Sequence, residues 1–165
     1  MELSVDIQYA TEEEDDLPSE HDLRSWACAA LASRRGSAQL TIRIAGREES
    51  RRLNETYRHK AGPTNVLSFS FEEPELLQPP LLGDVVICAP IVAAEAREQG
   101  KAPQAHWAHM VVHGVLHLLG YDHENEADAR RMEAEERKVL AGLGYGDPYH
   151  EEDNEGNDDL LRRKA

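Results

Sequence analysis

Residues 113–123, HGVLHLLGYDH, constrain this chain more than any other stretch. They close an apolar run that begins near Pro103, and His113 and His117 stand four apart within it. Four residues turn an α-helix by roughly 400°, so the two rings emerge about 40° apart and one turn displaced on the same face. Gly120 follows at the expected helix end. Glycine readily adopts the left-handed conformation that ends a helix and lets the chain turn back. His123 can then approach the pair from outside the helix. Three imidazole nitrogens with a fourth position open is the arrangement of a catalytic zinc, as opposed to a closed structural one. One zinc ion at His113, His117 and His123 is therefore expected. Nickel or another divalent transition metal suits the same donors.

The spacing of these three histidines and the glycine equals that of the metzincin proteases, HExxHxxGxxH. Their glutamate is the general base, and Gly114 stands in its place here. The metal spacing is kept and the protease base is gone. Upstream on the same stripe, His106 and His109 read as surface residues or as residues behind the ligands. Asp122 precedes the third histidine and could accept the free ring N–H of a ligand. An ordinary turn or cap role is equally open to it.

Elsewhere the pattern is that of a small α+β domain. Alternation marks strands at 3–9, 39–45 and 66–71, and DVVICA at 84–89 is a fourth. Ser19 caps a helix expected to run to about Arg35 and to end at Gly36. A polar helix over 47–58 turns Leu53 and Tyr57 inward. Pro90 opens a helix to about Gln99, and two more cover 103–119 and 125–142. HKAGPTN is a turn cluster, and EEPELLQPPLLG a proline-interrupted loop. The order β-α-β-α-β-β-α-α-α suggests a sheet of about four strands packed by helices around a three-histidine cleft. Residues 1–149 are expected to form one domain and 150–165 an acidic, disordered tail; the stretch from about Asp147, acidic and turn-rich, reads as already frayed and without a catalytic role.

The net charge of −14 argues against a protein that coats nucleic acid through its total charge. Residues 47–146, with 16 acids and 11 bases, are only mildly acidic. A local basic patch there could include Arg47, Arg51, Arg52, Arg58 and Lys60, although a solvated helix face explains such residues as well. Cys28 and Cys88 sit among apolar residues and read as buried free thiols. The N-terminus lacks the basic and apolar regions of a signal peptide, and no apolar run approaches the ~20 residues of a membrane helix. A reducing cytoplasm is the expected address.

Three blocks together, LNETYRHKAGPTNVLSFSF, LLGDVVICAPIVAAEA and HWAHMVVHGVLHLLGYDH, resemble the YbeY family of bacterial endoribonucleases. The resemblance runs from about Leu53 to Tyr149. It implies a metal-dependent endoribonuclease specific for single strands, acting in ribosomal RNA processing at the 3′ end of the small-subunit RNA and in ribosome quality control. It implies RNA and the small ribosomal subunit as partners, along with ribosome-assembly factors. The family's metal ligands fall on His113, His117 and His123, and the arginine of its LNxxYR block on Arg58.

Such chemistry accords with the residues. A zinc ion lowers the pKa of its water to about 7 and polarises a phosphoryl oxygen. Arg58 is the expected catalytic clamp, because a guanidinium donates two parallel hydrogen bonds to phosphate. Its competing reading is a structural salt bridge at a helix end. No residue stands out as general base. Ser68 and Ser70 could meet an RNA backbone or form the polar face of an ordinary strand, with Phe69 and Phe71 turned to the core. Two rival functions remain: a metallohydrolase of another substrate class, and a non-catalytic ribosome-assembly factor with a structural metal. The first should supply an acid in place of Gly114. The second should close the fourth position, and no cysteine lies near the motif to do so.

Overall fold

Alternating apolar and polar residues put every second side chain of a strand on one face. In the computed structural model the first two such stretches are β1 (Leu3–Ala10) and β2 (Ala38–Ala45), paired in parallel from Leu3↔Ala38 to Ala10↔Ala45. The structure describes residues 3–12, 16–32 and 36–149. Between the two strands runs α1 (Glu20–Ala30), capped by the Ser19 hydroxyl, which accepts from the Asp22 amide at 3.1 Å. It stops at Leu31, short of the expected Arg35, where Leu31 is itself fully buried in the core. Residues 33–35 of that expectation lie outside the described residues.

α2 (Arg47–Leu53) continues into a single π-helical turn, Asn54–Arg58, and then come β3 (Val66–Ser70), a short 3-10 turn (Pro74–Leu76) and β4 (Leu81–Cys88). The sheet has the order β1-β2-β4-β3, with β4 parallel to β2 and antiparallel to β3. β4 begins three residues before the expected Asp84. A register shift beside Gln39, where the partner jumps from Leu81 to Gly83, breaks the alternation that would have revealed it.

α3 (Ala89–Gln99), α4 (Pro103–Leu118) and α5 (Glu126–Gly142) complete a single α+β domain of four strands and five helices. Among the described residues no helix is long and apolar enough to cross a membrane. α4 is the central helix, in contact with α1, α3, α5, β3 and β4. Trp107, Val111, Val115 and Leu116 on it join Leu40, Ile42, Ile44, Val85 and Ile87 of the sheet, and Leu23 and Trp26 of α1, in one core.

Its approach to the sheet is unusually close at one point. A Cβ on Gly114 would stand 2.5 Å from Val85 Cγ1 and 3.3 Å from both Ser68 Oγ and Val66 Cγ2. Ser68 Oγ donates to the Gly114 carbonyl at 2.8 Å. The face of β3 turned to α4 is thus Val66 and Ser68. Leu67 and Phe69 turn to the opposite side, where they join Leu53, Ala45 and Val86 in a smaller cluster.

This corrects four expectations. Phe71 does not face the core; it lies beyond the end of β3 and is 39% exposed. Tyr57 does not turn inward; it is 59% exposed, because the π turn adds a residue and carries it off the inward stripe. Cys28 is exposed while Cys88 is buried, since the core stripe of α1 is Leu23, Trp26, Ala27 and Ala30. The segment after Asp147 is packed as far as Tyr149. Arg137 Nε donates to Asp147 Oδ2 at 3.0 Å, and Lys101 Nζ to the Pro148 carbonyl at 3.0 Å. Residues 150–165, where the acidic tail was expected, lie outside the described residues.

Gly114→Ala should be destabilising, although alanine is favoured by about 1 kcal/mol in a helix interior. The added methyl meets the stiff Val85 side chain, so a loss of about 1–3 kcal/mol is expected. The midpoint of urea unfolding measures it, and an unchanged or raised midpoint would contradict the close packing.

Candidate metal centre

α4 carries His113 and His117 on one side, and the chain reverses at Gly120 (φ +103°) to bring in His123. The ring centroids of His113 and His117 lie 4.8 Å apart, those of His117 and His123 5.0 Å, and those of His113 and His123 5.6 Å. One ligand atom from each ring falls within 4.8 Å of the other two, so the group could hold a metal ion. The donors also suit it. Burial and the neighbouring His113 and His123 push the His117 pKa down to about 4, so that ring keeps its lone pair free at neutral pH.

Behind His113 lies a carboxylate that the sequence reading did not anticipate. Glu136 of α5 is fully buried, and its Oε2 is 2.5 Å from His113 Nδ1. Its Oε1 is 3.2 Å from His109 Nε2 and also accepts the Tyr149 hydroxyl. Burial by itself raises the Glu136 pKa, but the hydrogen bonds from His109 and His113 outweigh it and hold the carboxyl well below its usual range. An ionised carboxylate only accepts, so His113 must donate through Nδ1–H. Its Nε2 lone pair is left for the cluster with His117 and His123.

The same network revises the reading of the upstream histidines. His106 and His109 are buried, not on the surface. His109 does stand behind a candidate ligand, through Glu136, and burial pushes its pKa down. His106 Nε2 pairs instead with Glu95 Oε1 at 2.8 Å, and Glu95 also accepts from Asn65 Nδ2 at 3.1 Å. Asp122 takes the turn role: its Oδ1 accepts from the His123 amide at 2.7 Å.

The three histidines open onto a cavity of about 500 Å³ whose other wall is Arg58, Lys60 and the strand β3 from Val66 to Ser68. The loop 59–65 is fixed from beneath. Ser50 Oγ donates to the Thr64 carbonyl at 2.9 Å and accepts from the Thr64 amide at 3.0 Å, and Asn54 Nδ2 donates to the Gly62 carbonyl at 2.9 Å. Both Ser50 and Asn54 are buried. Arg58 ends the π turn, lies 4.8 Å over the Phe69 ring and donates to the Ser68 carbonyl. The salt bridge that competed with its clamp role is not what holds it. Of the other bases in the expected patch, Arg51 is engaged with Glu48 and Glu55.

Sequence reasoning missed Glu136 and Tyr149. The buried stripe of α5 is Met132, Glu136 and Leu140, at steps of four. A glutamate between two apolar residues of such a stripe was the available signal, since a buried charge needs partners. Tyr149 left no comparable signal.

The family model described as Endoribonuclease YbeY matches residues 8–144. The Endoribonuclease YbeY of Nitrosococcus oceani is 53% identical over 151 residues, covering 90% of this chain and 98% of that one. Among solved structures, the solution structure of TM1509 from Thermotoga maritima has the same fold. Its TM-score is 0.59 at 22% identity, over 93% of this chain and 95% of that one.

His117 has a folded pKa below that of a free histidine, so between about pH 4 and 6.5 the unfolded chain binds the proton and the folded chain does not. Its contribution therefore favours unfolding as pH falls through that window. In an NMR titration of metal-free protein the His117 ring should stay neutral at pH 5.5, and a midpoint near 6.5 would contradict the crowded, partly buried environment.

Proposed function

Because the chain belongs to the YbeY family of endoribonucleases, whose substrate is RNA, we propose that it is a metal-dependent enzyme cutting single-stranded RNA at the three-histidine centre. His113, His117 and His123 hold one divalent ion, zinc in this reading, with nickel or another transition metal fitting the same donors. The ribosomal RNA of the small subunit is the substrate, its 3′ end the site of maturation and the cytoplasm the place of action. A role in ribosome quality control and contact with ribosome-assembly factors follow from that substrate. Residues 1–149 form the working domain. The observation that carries this reading is the meeting, in one cavity of about 500 Å³, of three convergent imidazoles and the Arg58 guanidinium.

The donor set fits such an ion: three imidazole nitrogens, one ring oriented by a carboxylate, with the cavity side left for substrate. When bound, the ion supplies Lewis acidity, polarising a phosphoryl oxygen and making water more acidic. The rest of the work falls to the chain's own groups. Arg58 is the catalytic clamp. Its resting partners are a backbone carbonyl and an aromatic face, so among the described residues no carboxylate has to be displaced before it reaches a phosphate. Its planar fork suits two phosphoryl oxygens at once. Lys60, on the same wall, adds a second positive charge where the substrate backbone lies. The edge of β3 and the pinned loop 59–65 give these cations a rigid base, which spares them reorganisation as charge develops.

Gly114 argues for this reading against a peptidase. Its missing side chain points at Val85, Ser68 and Val66, so packing occupies the place of the protease base.

The test is a 5′-labelled RNA carrying the 3′ end of the small-subunit ribosomal RNA. Zinc-loaded protein should give discrete cuts that an identically purified His113→Ala variant does not. Arg58→Ala should retain the metal and lose about 10²–10³-fold in the cleavage rate, the usual cost of one transition-state donor. Equal cleavage by native protein and His113→Ala, or none by either, would overturn the assignment.

A further inference from the structure

A buried carboxylate that receives three donors from two separate parts of the chain calls for an explanation. Glu136 is reached by His113 and His109 from α4 and by Tyr149 from the segment after α5. A core position needing only volume would take a leucine, as the flanking Met132 and Leu140 show. Burying the charge is costly before its partners are counted. The arrangement fixes two things that packing alone would leave free. One is the tautomer of His113, with Nδ1–H on the carboxylate and the Nε2 lone pair toward His117 and His123. The other is the rotation of that ring about its own axis.

Tyr149 is held in turn. Its ring lies 5.6 Å from that of His109 at 84°, and Arg137 stacks over it at 5.2 Å. Arg137 also grips Asp147, and Lys101 grips the Pro148 carbonyl. Burial, and then the Glu136 charge, push the Tyr149 pKa up, so its hydroxyl remains a donor. His109, with Nε2–H on Glu136, leaves a buried Nδ1 without a hydrogen-bond partner among the described residues. Its shown polar contact is therefore the donation to the carboxylate.

We infer that Glu136 is a positioning residue for the metal ligand His113, and that Tyr149 positions Glu136, so the strap 145–149 is a working part of the metal centre. This rests on the metal reading given above. In that reading the carboxylate sets which nitrogen of His113 faces the ion, and the strap keeps the carboxylate from swinging away. Partners of this kind behind a metal ligand typically contribute 10–100-fold to metal affinity.

The test uses the full chain and its Glu136→Gln and Tyr149→Phe variants. Zinc affinity is read by competition with a chromogenic chelator. In the metal-free proteins, nitrogen-15 NMR reads the tautomers of His113 and His109. The native protein should show His113 as the Nδ1–H form and His109 as the Nε2–H form. Glu136→Gln should weaken zinc 10–100-fold and convert His113 to a mixture of tautomers. Tyr149→Phe should weaken zinc less, in the same direction, and it stands as the test if Glu136→Gln fails to fold. A merely structural Glu136 would lower the melting temperature and leave both the tautomer and the affinity within twofold of native, which overturns the inference. If the native protein binds no zinc, the metal reading itself fails. The His113 tautomer, lost or kept in the variants, then decides the positioning role alone.

Discussion

The hydrogen-bonded carboxylate of Glu136 is the point at which the helical layer is tied together. A charge with no solvent contact survives in a protein only where its lone pairs are occupied. Here that requirement brings α4, α5 and the strap 145–149 to one place, and each element arrives by its own packing. Met132 and Leu140 seat α5 on the core, and Trp107, Val111 and Val115 seat α4. The strap is seated by Arg137 and Lys101. Losing one donor would leave the remaining ones with an under-satisfied charge, so the network stands or falls together.

Charge distribution shows how an acidic chain can offer a surface to a polyanion. Several basic side chains are already paired: Arg43 with Glu49, Arg51 with Glu48 and Glu55, Arg137 with Asp147. Arg58 is the contrast. It is stored against a carbonyl and an aromatic face, neither of which neutralises it. The cavity lining carries Arg58 and Lys60 beside Asp122 and Glu124, so the −14 of the whole chain is not the balance of charge the cavity presents.

Much of the fold was legible because the signals were local. Strand alternation, the Ser19 cap and the Pro90, Gln99 and Gly120 boundaries each depend on a few neighbours, and each appears where expected. The histidine spacing was legible for the same reason, since helix geometry alone converges His113 and His117. What failed depended on distant partners or on a local irregularity. Tyr57 left the core because of one π turn. Phe71 lies past the end of a strand whose helix-facing side is Val66 and Ser68, which alternation cannot reveal by itself. Glu136 sits 23 residues from His113 and 13 from Tyr149, so only the folded chain brings its partners to it. Spacing alone could have caught two misses: Cys28 lies off the Leu23, Trp26, Ala27 and Ala30 stripe, and Glu136 lies on the Met132 and Leu140 stripe.

The contact at Gly114 works like a key in a slot. A helix resting on a sheet through ordinary side chains can rotate or slide a little, because leucines and valines repack around small displacements. This one cannot do so freely. The only place on α4 without a side chain faces Val85, and rotating the helix by one residue would drive the His113 or Val115 side chain into the sheet. The Ser68 hydroxyl on the Gly114 carbonyl adds a stop along the axis. The azimuth of α4 is therefore indexed to β3 and β4, the same elements that carry Ser68 and the neighbours of Arg58. Both walls of the cavity share one mechanical reference, and the distance between histidines and guanidinium inherits the stiffness of the sheet.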